Sequence, residues 1–162
     1  MPTLVRRRAP GSPQLSAREV RALGDALLDA LELSHAELSV LLTNDATIHQ
    51  LNLEHRSKDK PTDVLAFPLD APIAEGMPTL LGDVVISLDT AERQARGRRR
   101  DLFAEVRLLL THGVLHLVGY DHDTPAKKKR MSAETRRLVR MCDRARPAGP
   151  VENPRRPRSR KA

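Results

Sequence analysis

The segment from His112 to His122 constrains the fold of this chain more than any other part of its sequence. His112 and His116 are four residues apart, so on an α-helix they lie about 40° apart on one face. Gly119 can end that helix in a left-handed conformation, and the turn after it can bring His122 back towards the first two imidazoles. The pattern therefore predicts that the end of the helix and the following turn place the three imidazoles around one point.

Three imidazoles that converge with a fourth position open are typical of a catalytic zinc site. Neutral imidazole suits zinc better than the hard cations that prefer oxygen ligands. The sequence therefore predicts one zinc ion bound by His112, His116 and His122. Asp121 and Asp123 flank the third histidine, and either could orient a ligand by accepting its second ring N–H. Their alternative role is simple turn chemistry and a helix cap.

The spacing of the three histidines also occurs in the metzincin zinc proteases, so a metallopeptidase is one alternative function. Those enzymes carry a glutamate that activates water directly after the first histidine, whereas this chain has Gly113 there. Glycine cannot accept the proton, and general acid–base catalysis of this kind contributes about 10²–10⁴-fold to a rate. The sequence therefore disfavours peptide hydrolysis.

A second candidate is the charged loop of residues 56–63, Arg-Ser-Lys-Asp-Lys-Pro-Thr-Asp, just before a buried strand. Arg56 offers a planar fork that matches the oxygens of a phosphate group. Charged loops are usually only solvated, so we expect this loop to matter only if the fold brings it near the histidines. The other histidines, His35, His49 and His55, lie in polar contexts without partner spacing, and we expect them to be solvated.

The hydrophobic patterns predict one α+β (α/β-like) domain over residues 1–143, with a small mixed sheet of about four strands surrounded by five or six helices. Ser16 and Glu19 form a capping box for the first helix, and Asn44 or Asp45 caps the second. A loop rich in Pro and Ala is expected at about 70–79. Strands are predicted at 3–8, 37–43, 64–67 and 84–87, and later helices at about 88–97, 101–118 and 124–142.

The net charge of +7 is concentrated at the C-terminal end. Residues 144–162 hold seven cations and one anion, whereas residues 1–143 hold 21 cations and 20 anions, so the body is close to neutral. This tail, rich in Pro and Arg, cannot bury enough apolar surface to fold, and we expect it to be disordered. Its role is either that of a solubilising extension or that of an electrostatic contact for RNA phosphates.

Composition also bears on the cellular location of the protein. No apolar run is long enough to cross a membrane, and Pro10, Gly11 and Pro13 occupy the place where a signal peptide needs an apolar stretch. These features predict a cytoplasmic protein. Cys142 is the only cysteine, which excludes an intrachain disulfide and a thiolate cluster for metal.

The histidine segment, His-Gly-Val-Leu-His-Leu-Val-Gly-Tyr-Asp-His at 112–122, resembles the signature of the YbeY family of bacterial metal-dependent endoribonucleases. Two further stretches resemble the same family in matching order: Leu51-Asn52 with Arg56 and residues 59–68, and residues 81–87. The resemblance covers about residues 37–143. It departs from the family at Ala66, where a serine is common, and in the basic tail.

This resemblance implies a zinc-dependent endoribonuclease for single-stranded RNA that acts in ribosomal RNA maturation, notably at the 3′ end of the small-subunit RNA, and in ribosome quality control. It implies a zinc ion on His112, His116 and His122 with Arg56 nearby, so that Arg56 and His116 are the predicted catalytic residues. The sequence assigns no general base, and Asp121 is the candidate considered for that role.

The partners expected from the resemblance are precursor ribosomal RNA, the small ribosomal subunit and its assembly proteins, with no membrane and no DNA. A ribosome-assembly factor whose metal is structural is the non-enzymatic alternative. Three histidines with an open position argue against it, since structural zinc sites normally have four protein ligands.

Overall fold

The computed structural model describes residues 3–7, 15–69 and 79–143. The predicted tail, residues 144–162, lies outside these ranges. The predicted fold class is confirmed, since five helices and a mixed four-stranded sheet make up the described segments. In chain order the elements are β1 (Thr3–Arg7), α1 (Ala17–Ala30), β2 (Ala36–Thr43), α2 (Asp45–Arg56), β3 (Val64–Pro68), β4 (Thr79–Ser87), α3 (Leu88–Gly97), α4 (Leu102–Leu117) and α5 (Pro125–Asp143).

The strands form one sheet in the order β1-β2-β4-β3. β1, β2 and β4 run parallel to one another, whereas β3 runs antiparallel to β4 and forms one edge. β1 forms the other edge, where Leu4 and Arg6 are exposed and Thr3 is buried. An arginine-rich strand is tolerated there because an edge strand has only one neighbour and alternate side chains reach solvent.

β4 begins earlier than the sequence patterns predict. We expected a loop as far as residue 79 and a strand from Val84, but the strand starts at Thr79. A bulge interrupts its pairing with β2 opposite Leu38. Gly82 lies at this bulge with φ of 139°, and a Cβ there would lie 2.2 Å from the carbonyl oxygen of Phe67. The glycine therefore marks an irregularity inside the strand and not its beginning. Residues 70–78 of the predicted loop lie outside the described ranges.

Polar caps fix where the first two helices begin. The Oγ of Ser16 accepts from the N–H of Glu19 at 3.1 Å, and the Glu19 carboxylate accepts from the N–H of Ser16 at 2.9 Å, so the predicted capping box is confirmed. Asn44 caps α2 by accepting from the N–H of Thr47 at 2.9 Å. Asp45, the other candidate for this cap, joins α2 to α3 instead.

The carboxylate of Asp45 binds the N-cap side chain of α3 and two side chains of that helix. It accepts from Ser87 and Thr90 at 2.6 Å each and from Arg93 at 2.7 Å. These bonds hold the N-terminal ends of α2 and α3 together.

The main core lies between the sheet and helices α1 and α4. α4 is the most buried helix, and the core residues predicted for it are all buried: Val106, Leu109, Leu110 and Val114. α2 covers part of the opposite sheet face, where Ile48 packs against Leu65 and Val85. Among the described helices, none is both long and apolar enough to span a membrane. Burial of α4 against β3 and β4 fixes the position of the histidines that it carries.

Candidate metal centre

α4 ends in a turn that returns the chain towards its own histidines. The N–H of Gly119 donates to the carbonyl of His116 at 3.1 Å, and the N–H of Tyr120 donates to that of Leu115 at 2.9 Å. Gly119 has φ of 102°. This pair of bonds is a Schellman motif, which needs a residue of positive φ at the glycine position. The turn brings the ring centroid of His122 to 5.3 Å from that of His116.

The three predicted metal ligands lie in one cluster. Their ring centroids are 5.3 Å apart for His116 and His122 and 6.2 Å apart for His112 and His116. Imidazoles bound tetrahedrally to zinc at about 2.0–2.1 Å have centroids about 5 Å apart. The closer pair meets this spacing, and the wider pair requires an inward movement of His112 by about 1 Å.

The donor atoms of the cluster therefore suit a metal ion, but His112 lies too far from His116 for both rings to bind one ion without a movement. In the described parts of the chain, no group of three or more His, Cys, Asp and Glu side chains could hold a metal ion as the side chains stand. The three neutral nitrogen donors match the preference of zinc. Zinc binding by these histidines stays a prediction, and the required shift of His112 is within the range of a side-chain adjustment.

The pKa values of both helical histidines are lowered from their ordinary 6.5. Burial is the largest cause for His112, and repulsion from His116 and His122 adds to it, whereas Asp63 acts in the opposite direction. Burial is again the largest cause for His116, and repulsion from His122 and Arg56 lowers its pKa further. A lowered pKa favours the neutral imidazole, which is the form that binds a metal ion.

The two aspartates beside His122 act within the turn. Oδ1 of Asp121 accepts from the backbone N–H of His122 at 2.7 Å and lies 4.0 Å from its Nδ1. That hydrogen bond is the largest cause of the lowered pKa of Asp121, and a carboxylate of lowered pKa is a weaker base. Asp123 pairs with Lys127 at 3.3 Å. These contacts fit turn chemistry and give no support to Asp121 as the general base.

The fold brings the loop of Arg56 to the histidine cluster. A cleft of about 630 Å³, which we call the main cleft, is lined on one side by Arg56, Lys58 and Lys60 and on another by His116 and His122. The condition set from the sequence, that the loop should lie near the histidines, is met. The main cleft therefore combines cations with the imidazole cluster in one surface.

Side chains of α2 hold this loop in place. Asn52 is buried and donates through Nδ2 to the carbonyl oxygen of Lys60 at 2.8 Å. Nε2 of His49 lies 2.7 Å from Oδ1 of Asp59. His49, which we expected to be merely solvated, thus has a carboxylate partner. The role of Asn52 was not predicted, since only the folded loop shows which carbonyl its amide meets.

Arg56 is oriented by the strand that it faces. Its Nη2 donates to the carbonyl oxygen of Ala66 at 2.7 Å, and its guanidinium carbon lies 5.8 Å from the ring centroid of Phe67. Because this hydrogen bond uses the backbone of Ala66, it does not depend on the side chain at this position. Arg56 also lines the main cleft, and a guanidinium has further N–H donors besides the one that Ala66 accepts.

Gly113 lies where α4 packs closely on the sheet. A Cβ on Gly113 would lie 2.6 Å and 3.0 Å from the two methyl carbons of Val84 and 3.4 Å from one of Val64. A glutamate at this position would meet the sheet, so the geometry adds a steric reason to the chemical one against a metallopeptidase. Gly113 thus serves the packing of the helix that carries the histidines.

Comparison with known proteins identifies one family. The family model described as Endoribonuclease YbeY matches residues 12–143. A protein of an Anaeromyxobacter species named Endoribonuclease YbeY is 51% identical over 125 residues, which are 77% of this chain and 64% of that protein. An Aquifex aeolicus protein of the same name is 45% identical over 75% of this chain and 79% of its own length. The chain thus spans less than two thirds of the length of the Anaeromyxobacter relative and more than two thirds of the length of the Aquifex relative.

A solved structure agrees with the fold. The solution structure of TM1509 from Thermotoga maritima aligns with a TM-score of 0.60 at 26% sequence identity. The alignment covers 94% of this chain and 100% of that one. The solved structure therefore has a fold similar to that of this chain.

Proposed function

Because the chain belongs to the endoribonuclease YbeY family, we propose that it is a zinc-dependent endoribonuclease that cleaves single-stranded RNA. Its substrate would be precursor ribosomal RNA, with the 3′ end of the small-subunit RNA as the main site of action. Ribosome quality control, contacts with the small subunit and its assembly proteins, and a cytoplasmic location belong to the same proposal.

One observation carries this proposal: the main cleft joins the imidazole cluster to three cations. Arg56, Lys58 and Lys60 line it together with His116 and His122. RNA is a chain of phosphates, and binding of this kind depends on cations placed along the path of the backbone.

His112, His116 and His122 are the residues that would hold a zinc ion. When bound there, the ion would supply Lewis-acid polarisation of the scissile phosphate and a lowered pKa for water beside it. The three side chains are supported in this role by the Schellman turn at Gly119 and by the close packing at Gly113, which fix the helix and the turn that carry them.

Arg56 would neutralise the negative charge that develops on the phosphoryl oxygens during cleavage. Its hydrogen bond to Ala66 and its contact with Phe67 hold the guanidinium before a substrate arrives, so little reorganisation is needed. Lys58 and Lys60 would hold neighbouring phosphates as point charges. No described side chain stands out as the general base.

The experiment that tests the proposal is sequencing of small-subunit ribosomal RNA 3′ ends in cells that lack the protein. Wild type should restore mature ends, and His116→Ala should not. His35→Ala is the matched control, because His35 is exposed and does not line the main cleft, and it should restore them as wild type does. Mature ends in cells complemented with His116→Ala would contradict an enzymatic role and favour a ribosome-assembly factor.

A further inference from the structure

A second cavity, of about 380 Å³, adjoins the histidine cluster between β3, α3 and α4. We call it the side cavity and define it by Gln94, Arg98 and Glu105. It shares His116 and His122 with the main cleft. An RNA strand bound at the histidines could therefore place one base in the side cavity while its backbone stays in the main cleft.

Glu105 brings a buried carboxylate to the side cavity. Its side chain is 0% exposed, and its Oε1 accepts from Nη1 of Arg98 at 3.1 Å. Its Oε2 is buried and has no hydrogen-bond partner in the described structure. A buried acceptor that has lost water and gained no donor is costly, and more so when it is charged. A ligand that supplied a donor would remove this cost.

Gln94 brings a second acceptor. Its Nε2 donates to Oδ2 of Asp63 at 3.3 Å. An ionised carboxylate can only accept, so the amide nitrogen must face Asp63 and the amide oxygen must face away from it. That oxygen, Oε1, is also buried without a partner among the described residues.

We propose that the side cavity binds one unpaired guanine of the RNA substrate, an inference that rests on the proposed function. The Watson–Crick edge of guanine presents an acceptor, O6, followed by two donors, N1–H and the N2 amino group. Arg98 is a donor, and Glu105 and Gln94 supply two acceptors, so the two sets are complementary. Uracil offers a single donor between two oxygens, and adenine and cytosine each place a ring acceptor where guanine has N1–H.

The side cavity also has apolar walls that suit the faces of a base. Val64, Leu108 and Leu109 supply apolar surface for the faces of the ring. Arg98 is half exposed, so its side chain can move aside as a base enters and then bind O6. Because the Watson–Crick edge is used, the guanine must be unpaired, and the side cavity would select single strands.

Binding of oligonucleotides whose 2′-hydroxyl groups are blocked tests this proposal. Fully 2′-O-methylated oligoadenosines that carry a central guanine, inosine or adenine would be titrated with the full chain and followed by fluorescence anisotropy. Guanine should increase affinity about tenfold over adenine, the effect of one well-made base contact. Inosine, which lacks the N2 amino group, should bind with intermediate affinity.

Variants test the two contacts separately. In the proposed complex, Gln94 accepts from the N2 amino group of guanine and Glu105 accepts from N1–H. Gln94→Leu should abolish the difference between guanine and inosine and keep that between inosine and adenine. Glu105→Gln should reduce the preference for inosine over adenine. Glu92→Gln is the matched control, since Glu92 is a half-exposed carboxylate on α3 paired with Arg96, and it should preserve all three affinities.

Equal affinities for the three oligonucleotides in the wild type would overturn the proposal, as would an unchanged guanine preference in Gln94→Leu. The latter variant decides the matter if Glu105→Gln does not fold, which circular dichroism would show. Since the readout is the binding of oligonucleotides that gel electrophoresis shows to be intact, a failure here is distinct from a failure of the proposed function, which would appear as absence of RNA cleavage.

Discussion

Replacement of Gly113 by alanine tests the packing that holds the histidine helix against the sheet. The new Cβ would lie 2.6 Å from one methyl carbon of Val84 and 3.0 Å from the other. Non-bonded carbons pack best about 3.5–4.0 Å apart, so α4 and β4 must separate locally by about 1 Å. Val84 is fully buried and β-branched, so it has few other rotamers to adopt.

Overpacking of this kind costs about 1–3 kcal/mol. The change from glycine to alanine inside a helix gains about 1 kcal/mol, so the free energy of unfolding should fall by up to about 2 kcal/mol. Gly97→Ala is the matched control, because a Cβ there would meet nothing within 4 Å. That variant should be unchanged or more stable by up to about 1 kcal/mol.

The assay is urea unfolding followed by far-ultraviolet circular dichroism, since the chain has no tryptophan. Addition of Val84→Ala to Gly113→Ala should cost less than the sum of the two single changes, because the smaller side chain makes room for the new methyl group. A Gly113→Ala variant as stable as Gly97→Ala would refute the close packing and with it the steric argument against a metallopeptidase.

Three other predictions concern separate parts of the fold. Gly119→Ala should lower the free energy of unfolding by about 1–2 kcal/mol, because alanine resists a positive φ, and thermal unfolding would measure the loss. Burial raises the pKa of Asp45, but hydrogen bonds from α3 and its N-cap lower it overall. Asp45 therefore stabilises the fold above about pH 4, and urea unfolding against pH should show its advantage over Asp45→Asn shrinking as the pH falls below that value. Burial raises the pKa of Cys142 to about 11, so its thiol should react with a disulfide reagent at pH 8 only after urea has unfolded the chain, and rapid reaction in the native state would contradict its burial.

Local signals in the sequence predicted much of the fold and the histidine cluster. The capping box at Ser16 and the cap at Asn44 depend on residues within one helical turn, so their patterns identify them without tertiary information. The same holds for Gly119, whose position after an apolar helix predicted the turn that returns His122 to His116. Contacts between residues that are close in sequence leave few alternative local structures.

Such local patterns do not predict contacts between separate elements and loops. The burial of Glu105 depends on Arg98 and on how α3 packs against α4, and a lone glutamate in an apolar helix gives no sign of it. The role of Asn52 depends on the path of a loop that follows its helix. In the sequence Gly113 indicates only that a catalytic glutamate is missing, because its contact with Val84 depends on how the helix crosses the sheet.

Titration of zinc into the metal-free chain, with cleavage of single-stranded RNA as the readout, tests the central claim most directly. The cleavage rate of the wild type and of His35→Ala should rise with added zinc and level off at about one ion per chain, as expected for one catalytic site. His116→Ala should stay at background throughout. Full cleavage by the metal-free chain, or the same response to zinc in His116→Ala as in wild type, would contradict the account.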